Sequence, residues 1–364
     1  MDDTNHNYKT PVPIDEKLAA AHQAYDAMQL DEALALYRQV ADADPDHYDA
    51  QIGLARTLTR MRRQDEAREA IGRAIAMQPE RYEGHAAAGV LDFLLDNTDD
   101  ATEALTRAIE LAPEEPEPHL TLSQVYADVG RLEEADAELA RARELIEGIA
   151  DETRRRQLES LAWHAETYRH LSAGNAQEAM EAAQHVVALE EVNPYAACLA
   201  FSNMGILEAR ARHYDQAIEY LERAFRMNPY FGRAGSALGR LLIVRGQSER
   251  AVEVLGETLE HLPEDDASTR YAYALALSRN GQRQEALTQY RRALDQGLSG
   301  SDALLARWQT VWLSEWGRYT IIGIILAGVL AWIVLAQPTP QMLTLVGLLA
   351  VIIILQRTVG RRKR

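Results

Sequence analysis

The stretch DDATEALTRAIELAP, residues 99–113, decides the fold, although it looks too weak to build a core. It contains no aromatic residue, and most of its apolar positions are alanine. Ala101, Ala104 and Ala108 stand where leucine or phenylalanine would bury more apolar surface. The explanation for these alanines lies in the rest of the chain, where the same pattern returns.

Ala101 belongs to a series that runs through most of the chain. The first four alanines of the series are 34 residues apart, and four more follow at steps of 44, 38, 34 and 35. A fixed period in this range is typical of a solenoid. The alternative, a run of unrelated amphipathic helices, would not keep such a step. The eight marker alanines are Ala33, Ala67, Ala101, Ala135, Ala179, Ala217, Ala251 and Ala286.

Each unit of the series reads as two helices. The second helix starts near an acidic residue, which suits the positive end of the helix dipole, and it ends at or near a proline, which stops a helix. The first helix carries a small residue midway, and the turn between the helices often holds glycine five residues before the marker alanine. The small residues are Gly53, Ala55, Gly89, Ser123, Gly205 and Gly239, and the turn glycines are Gly130, Gly174, Gly246 and Gly281.

This pattern resembles the tetratricopeptide repeat. In that family the second helix carries an alanine, a large apolar residue four positions on, another alanine three further on, and then a proline. Ala217, Leu221, Ala224 and Pro229 fit fully. The resemblance covers residues 14–298 and implies an all-α fold, a right-handed superhelical solenoid of about eight helix-turn-helix units. The alanines then allow paired helices to approach closely, and stacked units hide one another's apolar faces.

The resemblance also implies a concave groove, lined by the first helices, that takes an extended peptide or a partner's helix. An asparagine there can pair with a peptide backbone, and an arginine can hold a carboxylate with two hydrogen bonds. The clamp that one subfamily uses for chaperone C-termini is absent, because its positions in the first units hold Leu18, His22 and Gly53. By register, the groove candidates are Arg56, Gln124, Tyr168, Asn203, Arg210, Arg233 and Arg240.

The regular step breaks between Ala135 and Ala179, where ten extra residues enter. We expect long helices over residues 132–150 and 151–171, with an insertion near 143–160 that projects from the solenoid. Residues 154–156 form the only dense basic run of the repeat region. This run either docks an acidic partner or is a solvated helix face that nearby glutamates balance.

The last part of the chain differs in composition from the repeats. Residues 319–336 contain no charged side chain, and neither do residues 342–355. We expect a membrane hairpin of two transmembrane helices, 319–336 and 342–356, joined by a turn at 337–341. A buried helical hairpin is the alternative. We expect a loose tail at residues 1–13 and a basic tail at 357–364. We also expect a helix at 299–318 that covers the last repeat or instead lies flat at the membrane interface. One side of this helix carries Leu304, Leu305, Trp308, Val311 and Trp312.

The residues around the predicted hairpin indicate its orientation. Trp308, Trp312, Trp316 and Tyr319 precede the first span, as is typical of aromatic residues at a membrane interface. The last 48 residues carry six basic side chains and no acidic one, and the charges lie outside the two spans. The positive-inside rule then places the solenoid and both termini in the cytoplasm. Because the composition suggests a bacterium, we expect a multi-pass protein of the inner membrane.

The charge and the motifs indicate binding rather than catalysis. The chain has a net charge of −17, which argues against nucleic acid as a ligand. Its only cysteine, Cys198, predicts a buried thiol, and no motif predicts an enzyme, a cofactor or a metal site. We therefore expect a membrane-anchored scaffold or adaptor that binds protein or peptide partners and recruits or assembles a complex. The alternatives are a chaperone-type adaptor that captures client peptides in the groove and a self-assembling, homo-oligomeric coat.

Overall fold

The computed structural model describes residues 13–262 and 266–314 and the pairs 319–320, 323–324, 327–328 and 331–332. These residues contain seventeen named α-helices and no strand, which confirms the all-α prediction for this part of the chain. The helices are α1 (Ile14–Asp26), α2 (Leu30–Ala43), α3 (Tyr48–Arg60), α4 (Gln64–Met77), α5 (Tyr82–Leu94), α6 (Thr98–Leu111), α7 (Pro116–Asp128), α8 (Leu132–Glu147), α9 (Glu152–Ser172), α10 (Ala176–Val187), α11 (Pro194–Arg210), α12 (Tyr214–Met227), α13 (Gly232–Val244), α14 (Ser248–His261), α15 (Ala267–Arg279), α16 (Arg283–Asp295) and α17 (Gly300–Leu313).

The first sixteen helices form eight consecutive hairpins, α1 with α2 through α15 with α16, and each hairpin packs on the next. We call these hairpins repeats 1 to 8. All eight marker alanines are completely buried. Each lies near the start of the second helix of its repeat, where it faces the first helix. The predicted solenoid of eight stacked helix pairs is therefore present in the described residues.

Close contact between the two helices of a repeat explains why the chain uses such small residues. A Cβ added at Gly89 would lie 2.5 Å from Leu105 Cγ, and one added at Gly239 would lie 2.3 Å from Leu255 Cγ. Both leucines are fully buried. The glycine of the first helix thus makes room for the large residue sixteen positions later in the second helix. Small and large side chains alternate across the interface, as dense packing requires.

The turn inside each repeat has the same backbone conformation in all eight repeats. Four turns use glycine with positive φ, as the sequence predicts. The other four place an ordinary residue in the left-handed region that favours glycine. These residues are Met28 (φ 61°), Arg62 (φ 59°), Asp96 (φ 60°) and Arg212 (φ 65°). The glycine signal therefore identifies only half of the turns.

Replacing Arg212 with glycine should stabilise the full chain by about 0.5–1 kcal/mol, because glycine adopts positive φ without the steric penalty of a side chain. Arg212 is exposed and makes no side-chain hydrogen bond or ion pair within the described residues. The opposite change, Gly130→Ala, should destabilise the chain, because φ is 77° there. Nothing lies within 4 Å of the added Cβ, so the effect comes from the backbone conformation alone. Urea unfolding midpoints measure both effects, and midpoints that move in the same direction would contradict the explanation.

The long interval between repeats 4 and 5 is occupied by α9, the longest of the seventeen helices, with 21 residues. Helix α8 ends at Glu147 rather than at the predicted residue 150, and α9 begins at Glu152. The Asp151 side chain caps α9, because its Oδ1 accepts a hydrogen bond of 2.8 Å from the Arg154 backbone N–H. The chain thus changes direction within four residues and starts a new helix.

Helix α17 covers repeat 8 with a different side from the one that the sequence predicts. Ala303, Ala306 and Leu313 are buried, and Ala306 and Leu313 belong to the core cluster of the last repeat. Of the predicted apolar side, Trp312 packs partly against this cluster. Four members of that side instead face outward, so the expectation that this side covers the repeat is wrong for Leu304, Leu305, Trp308 and Val311.

Most of the predicted hairpin lies outside the described residues, including all of 337–341 and 342–356. Trp316 and the tails at 1–12 and 357–364 lie outside them as well. Among the residues that the structure does describe, no helix combines the length and the apolar character that crossing a bilayer requires.

Candidate functional site

The curvature of the solenoid brings its early repeats against its late ones. The Tyr230 hydroxyl, at the start of repeat 7, donates a hydrogen bond of 2.8 Å to Asp31 Oδ1 in repeat 1, across 199 residues of sequence. The Arg60 guanidinium lies 3.7 Å from the centre of the Tyr25 ring and 4.0 Å from the centre of the Tyr195 ring. We call these five residues the seam.

Inside the seam, the first helices of the repeats enclose a cavity of about 560 Å³, which we call the channel. Its walls combine apolar side chains with a polar set that contains five arginines and three carboxylates. The channel therefore has an excess of positive charge in a chain whose net charge is −17. The arginines are Arg56, Arg60, Arg62, Arg154 and Arg233, and the carboxylates belong to Asp26, Asp96 and Glu117.

The predicted groove residues divide into two groups in the structure. Five of them line the channel together: Arg56, Gln124, Tyr168, Asn203 and Arg233. Arg210 and Arg240 are not among the residues that line it. Arg240 donates hydrogen bonds to the backbone oxygen of Ser268, at 3.0 Å, and to its hydroxyl, at 2.6 Å. Arg210 is the last residue of α11 and is exposed.

The basic run of α9 is partly neutralised by glutamates. Arg154 forms an ion pair of 2.6 Å with Glu115, and Arg155 forms one of 2.7 Å with Glu159. The N-terminal half of α9 lines the channel through Arg154 and Gln157. The expectation that the insertion projects from the solenoid is therefore wrong for the N-terminal half of α9. The extra length instead extends the inner wall.

Charges balance around Arg56 and Asp26. Arg56 Nη2 lies 3.6 Å from Glu117 Oε2. Burial raises the pKa of the nearby Asp26 carboxyl, while the guanidinium of Arg60 and the neighbouring His22 and Arg56 oppose that rise. These cations thus face carboxylates of the same chain.

Charges do not balance around Arg233. This side chain is open to the solvent in the channel and makes no hydrogen bond or ion pair within the described residues. The channel walls lower the pKa of its guanidinium by desolvation, and the guanidiniums of Arg210 and Arg62 lower it further, although the nearby Tyr168 opposes the change. We call Arg62, Arg210 and Arg233 the arginine cluster.

Two buried polar side chains of the channel lack partners near the arginine cluster. His164 is 6% exposed, and its Nδ1 has no hydrogen-bond partner. Burial and the charge of Arg233 lower its pKa to about 4, so the imidazole is neutral at pH 7. Asn203 is 5% exposed and makes no side-chain hydrogen bond within the described residues. A buried polar atom such as His164 Nδ1 normally finds a partner, and both side chains line the cavity.

Sequence reasoning missed Arg60, Arg62 and His164 as channel residues. Arg60 follows the predicted Arg56 by one helical turn of α3, so the helical spacing contained a signal for it. Arg62 is a turn residue, and no local pattern indicates that it lines the channel. Cys198 is buried as predicted, and burial raises the pKa of its thiol to about 12.

A family model described as the tetratricopeptide repeat matches residues 24–89, 93–147 and 209–277, just over half of the chain. The chain belongs to the tetratricopeptide repeat family. Proteins built from tetratricopeptide repeats typically bind other proteins. The fold is typically a non-catalytic scaffold.

Individual tetratricopeptide repeat proteins are similar to parts of the chain. A TPR repeat-containing protein of Dictyostelium discoideum is 29% identical over 106 residues, which are 28% of this chain and 40% of that protein. A chain from the crystal structure of the APC/C hetero-tetramer Cut9–Hcn1 superposes with a TM-score of 0.57 at 16% identity. This superposition covers 83% of the present chain and 56% of the other. The present chain thus spans less than two thirds of either relative, and the structural likeness shows the fold alone.

The protein pilF of Pseudomonas aeruginosa is a further neighbour among solved structures. It superposes with a TM-score of 0.48 at 15% identity, covering 63% of the present chain and 97% of that chain.

Proposed function

We propose that the protein is a membrane-anchored tetratricopeptide repeat scaffold that holds an extended segment of a partner protein in the channel. In this way it recruits or helps to assemble a complex at the cytoplasmic face of a bacterial inner membrane. The observation that carries the proposal is the channel itself. Its unpartnered groups, at His164 and Asn203, offer hydrogen bonds to a peptide backbone inside apolar walls, which is the usual composition of a binding site.

The membrane part of the proposal is supported by α17 and by the sequence that follows it. Helix α17 leaves Leu304, Leu305 and Trp308 exposed on its outer side, and Tyr319 is 71% exposed. Trp308 stacks on Trp312 with ring centres 6.5 Å apart. Apolar and aromatic side chains in this arrangement suit a membrane interface, and the uncharged runs at 319–336 and 342–355 follow directly.

Site-specific photocrosslinking in membranes tests the channel as the binding site. A photoreactive amino acid at Gln124, which lines the channel, should give crosslinks to a partner in the native host. The same amino acid at Glu103, on the exposed side of α6, serves as the matched control and should give none. Crosslinks from position 103 alone would place the partner on the outer face and reject the channel.

Trypsin treatment of vesicles tests the anchor and its orientation. We expect the solenoid of the full chain to sediment with membranes and to be cut in inverted vesicles but not in right-side-out vesicles. Cleavage from the outer face would reject the cytoplasmic orientation, and full-length protein in the supernatant would reject the anchor. A chaperone-type adaptor would differ in capturing many unrelated client segments at Gln124, whereas a scaffold should give one or a few defined crosslinks.

A further inference from the structure

The arginine cluster defines the chemistry of the partner. Arg62 and Arg233 line the channel from repeats 2 and 7, and Arg210 lies close enough at the end of α11 to act on Arg233 electrostatically. None of the three guanidiniums has a carboxylate within ion-pair distance in the described residues, although twenty-one ion pairs there join other arginines to carboxylates. Like charges that are brought together without counter-charges destabilise the fold, so a ligand that supplies negative charge gains binding energy here.

We propose that the channel binds an acidic peptide segment whose carboxylate lies on Arg62 and Arg233, with Arg210 adding to the field. Asn203 and His164 then hydrogen-bond the backbone of the same segment. This inference rests on the proposed function and identifies the class of partner that the channel takes.

The carboxylates that line the channel do not perform this role themselves. Asp96 lines the channel and forms no ion pair within the described residues. Glu117 is paired with Arg56. Asp128, which is not among the lining residues, accepts a hydrogen bond of 2.7 Å from the Tyr168 hydroxyl. The positive charge of Arg233 is therefore available to a ligand.

A peptide carboxylate fits the site better than a small inorganic anion or a lipid headgroup. Arginine binds carboxylates with two parallel hydrogen bonds, and Phe93, Leu161 and Leu199 also line the channel. These apolar walls would stay unused with phosphate alone, whereas the side chains of a peptide can cover them. A headgroup would have to leave the bilayer to reach the concave side of the solenoid.

The site differs from a clamp built within consecutive repeats at one end of a solenoid. Its arginines come from repeats 2, 6 and 7, which meet only because the solenoid curves back on itself. Recognition of the acidic segment therefore depends on the curvature as well as on the residues. A repeat fragment that contains only Arg62 or only Arg233 lacks the site.

Three pools of fluorescent, C-terminally amidated peptides of about ten residues test the inference by anisotropy against the full chain in detergent. The pools are degenerate and uncharged except for a central pair, which is Glu-Glu, Gln-Gln or Lys-Lys. The Glu pool should bind about tenfold more tightly than the Gln pool, because charge-assisted hydrogen bonds add at least 1.4 kcal/mol, roughly a factor of ten. Added salt should weaken the binding of the Glu pool more than that of the Gln pool.

Charge reversal at the cluster provides the second arm. Arg233→Glu should lower the affinity for the Glu pool by about tenfold and favour the Lys pool instead. Arg240→Glu makes the same change of net charge on the same helix but outside the channel, and it should leave the preference intact. Arg233→Lys keeps the charge but loses the planar fork, so we expect an intermediate loss.

The possible outcomes separate this inference from the proposed function. The acidic preference would be overturned if the chain bound all three pools equally and Arg233→Glu did not change that binding. The channel would then remain a peptide site. If no pool bound at protein concentrations up to about 1 mM, the inference would be overturned. The proposed function would then be tested separately by the crosslinks from position 124. Inorganic phosphate that stabilises the wild-type chain but not Arg233→Glu, without binding of the Glu pool, would reveal a small-anion site and would also overturn it.

Discussion

Replacing Gly239 with alanine should destabilise the full chain by about 2 kcal/mol, although alanine is the better helix former by about 1 kcal/mol. Gly239 lies in the middle of α13, and an added Cβ would lie 2.3 Å from Leu255 Cγ and 2.5 Å from its Cδ2. Leu255 is fully buried in the largest core cluster of the solenoid, so it has no free space to move into. Overpacking therefore outweighs helix propensity at this position.

Gly72 is the matched control for Gly239. It also lies inside a helix, α4, but nothing lies within 4 Å of a Cβ added there. Gly72→Ala should therefore stabilise the chain by about 1 kcal/mol through helix propensity alone. Urea unfolding midpoints of the full chain, followed by circular dichroism, measure both variants. Shifts of the same sign would show that the space around Gly239 does not decide its effect.

A double mutant assigns the effect of Gly239→Ala to one pair of side chains. Leu255→Ala alone should destabilise the chain by about 2–5 kcal/mol, because it leaves a cavity in the core. Together with Gly239→Ala it removes the clashing atoms, so the two substitutions should destabilise the chain by less than the sum of their separate effects. Strict additivity would show that the clash lies with another neighbour.

Acidification should destabilise the fold through His164, by about 3 kcal/mol between neutral pH and pH 4. Burial and the charge of Arg233 lower the pKa of His164 from its ordinary value of 6.5 to about 4. Within this window the unfolded chain binds a proton at His164 and the folded chain does not. The contribution of the neutral imidazole is therefore complete at pH 7 and is lost as the pH falls from 6.5 towards 4.

The variant His164→Gln tests this pH dependence, because glutamine does not titrate. The difference in unfolding midpoint between about pH 7 and about pH 4.5 should be smaller in this variant than in the wild-type chain. His213→Gln is the control, since the His213 side chain is 67% exposed, and it should keep the wild-type difference. If His164→Gln also kept the full difference, the acid sensitivity would reside in other groups.

The sequence allows the repeats to be predicted because their packing is local. A marker alanine and its partner glycine lie within one helical hairpin, so the close approach at Gly89 and Leu105 leaves a trace at fixed spacing. The turns were predicted only where glycine occupies them. At Arg62 and Arg212 the same positive φ occurs in residues that give no such signal, and only the register of the repeat identifies them.

The channel could be predicted in part. Helical register placed Arg56, Asn203 and Arg233 on the concave side, but the sequence contained no measure of how tightly the solenoid curves. The contact between Tyr230 and Asp31 depends on the sum of six small rotations between repeats. The same lack of distant information affected α17, where spacing revealed an apolar side but not which side packs on repeat 8.

The seam has a topological consequence for the partner. A loop within a folded protein has no free end to thread through an enclosed passage. Sideways access requires that repeats 1 and 2 part from repeats 6 and 7. This breaks the Tyr230–Asp31 hydrogen bond, the Arg60–Tyr195 stacking and the packing of Tyr230 on the core of the first repeats, but no helix. The hydrogen bond and the stacking together amount to about 1–4 kcal/mol. Internal loops as well as chain termini are therefore admissible as ligands.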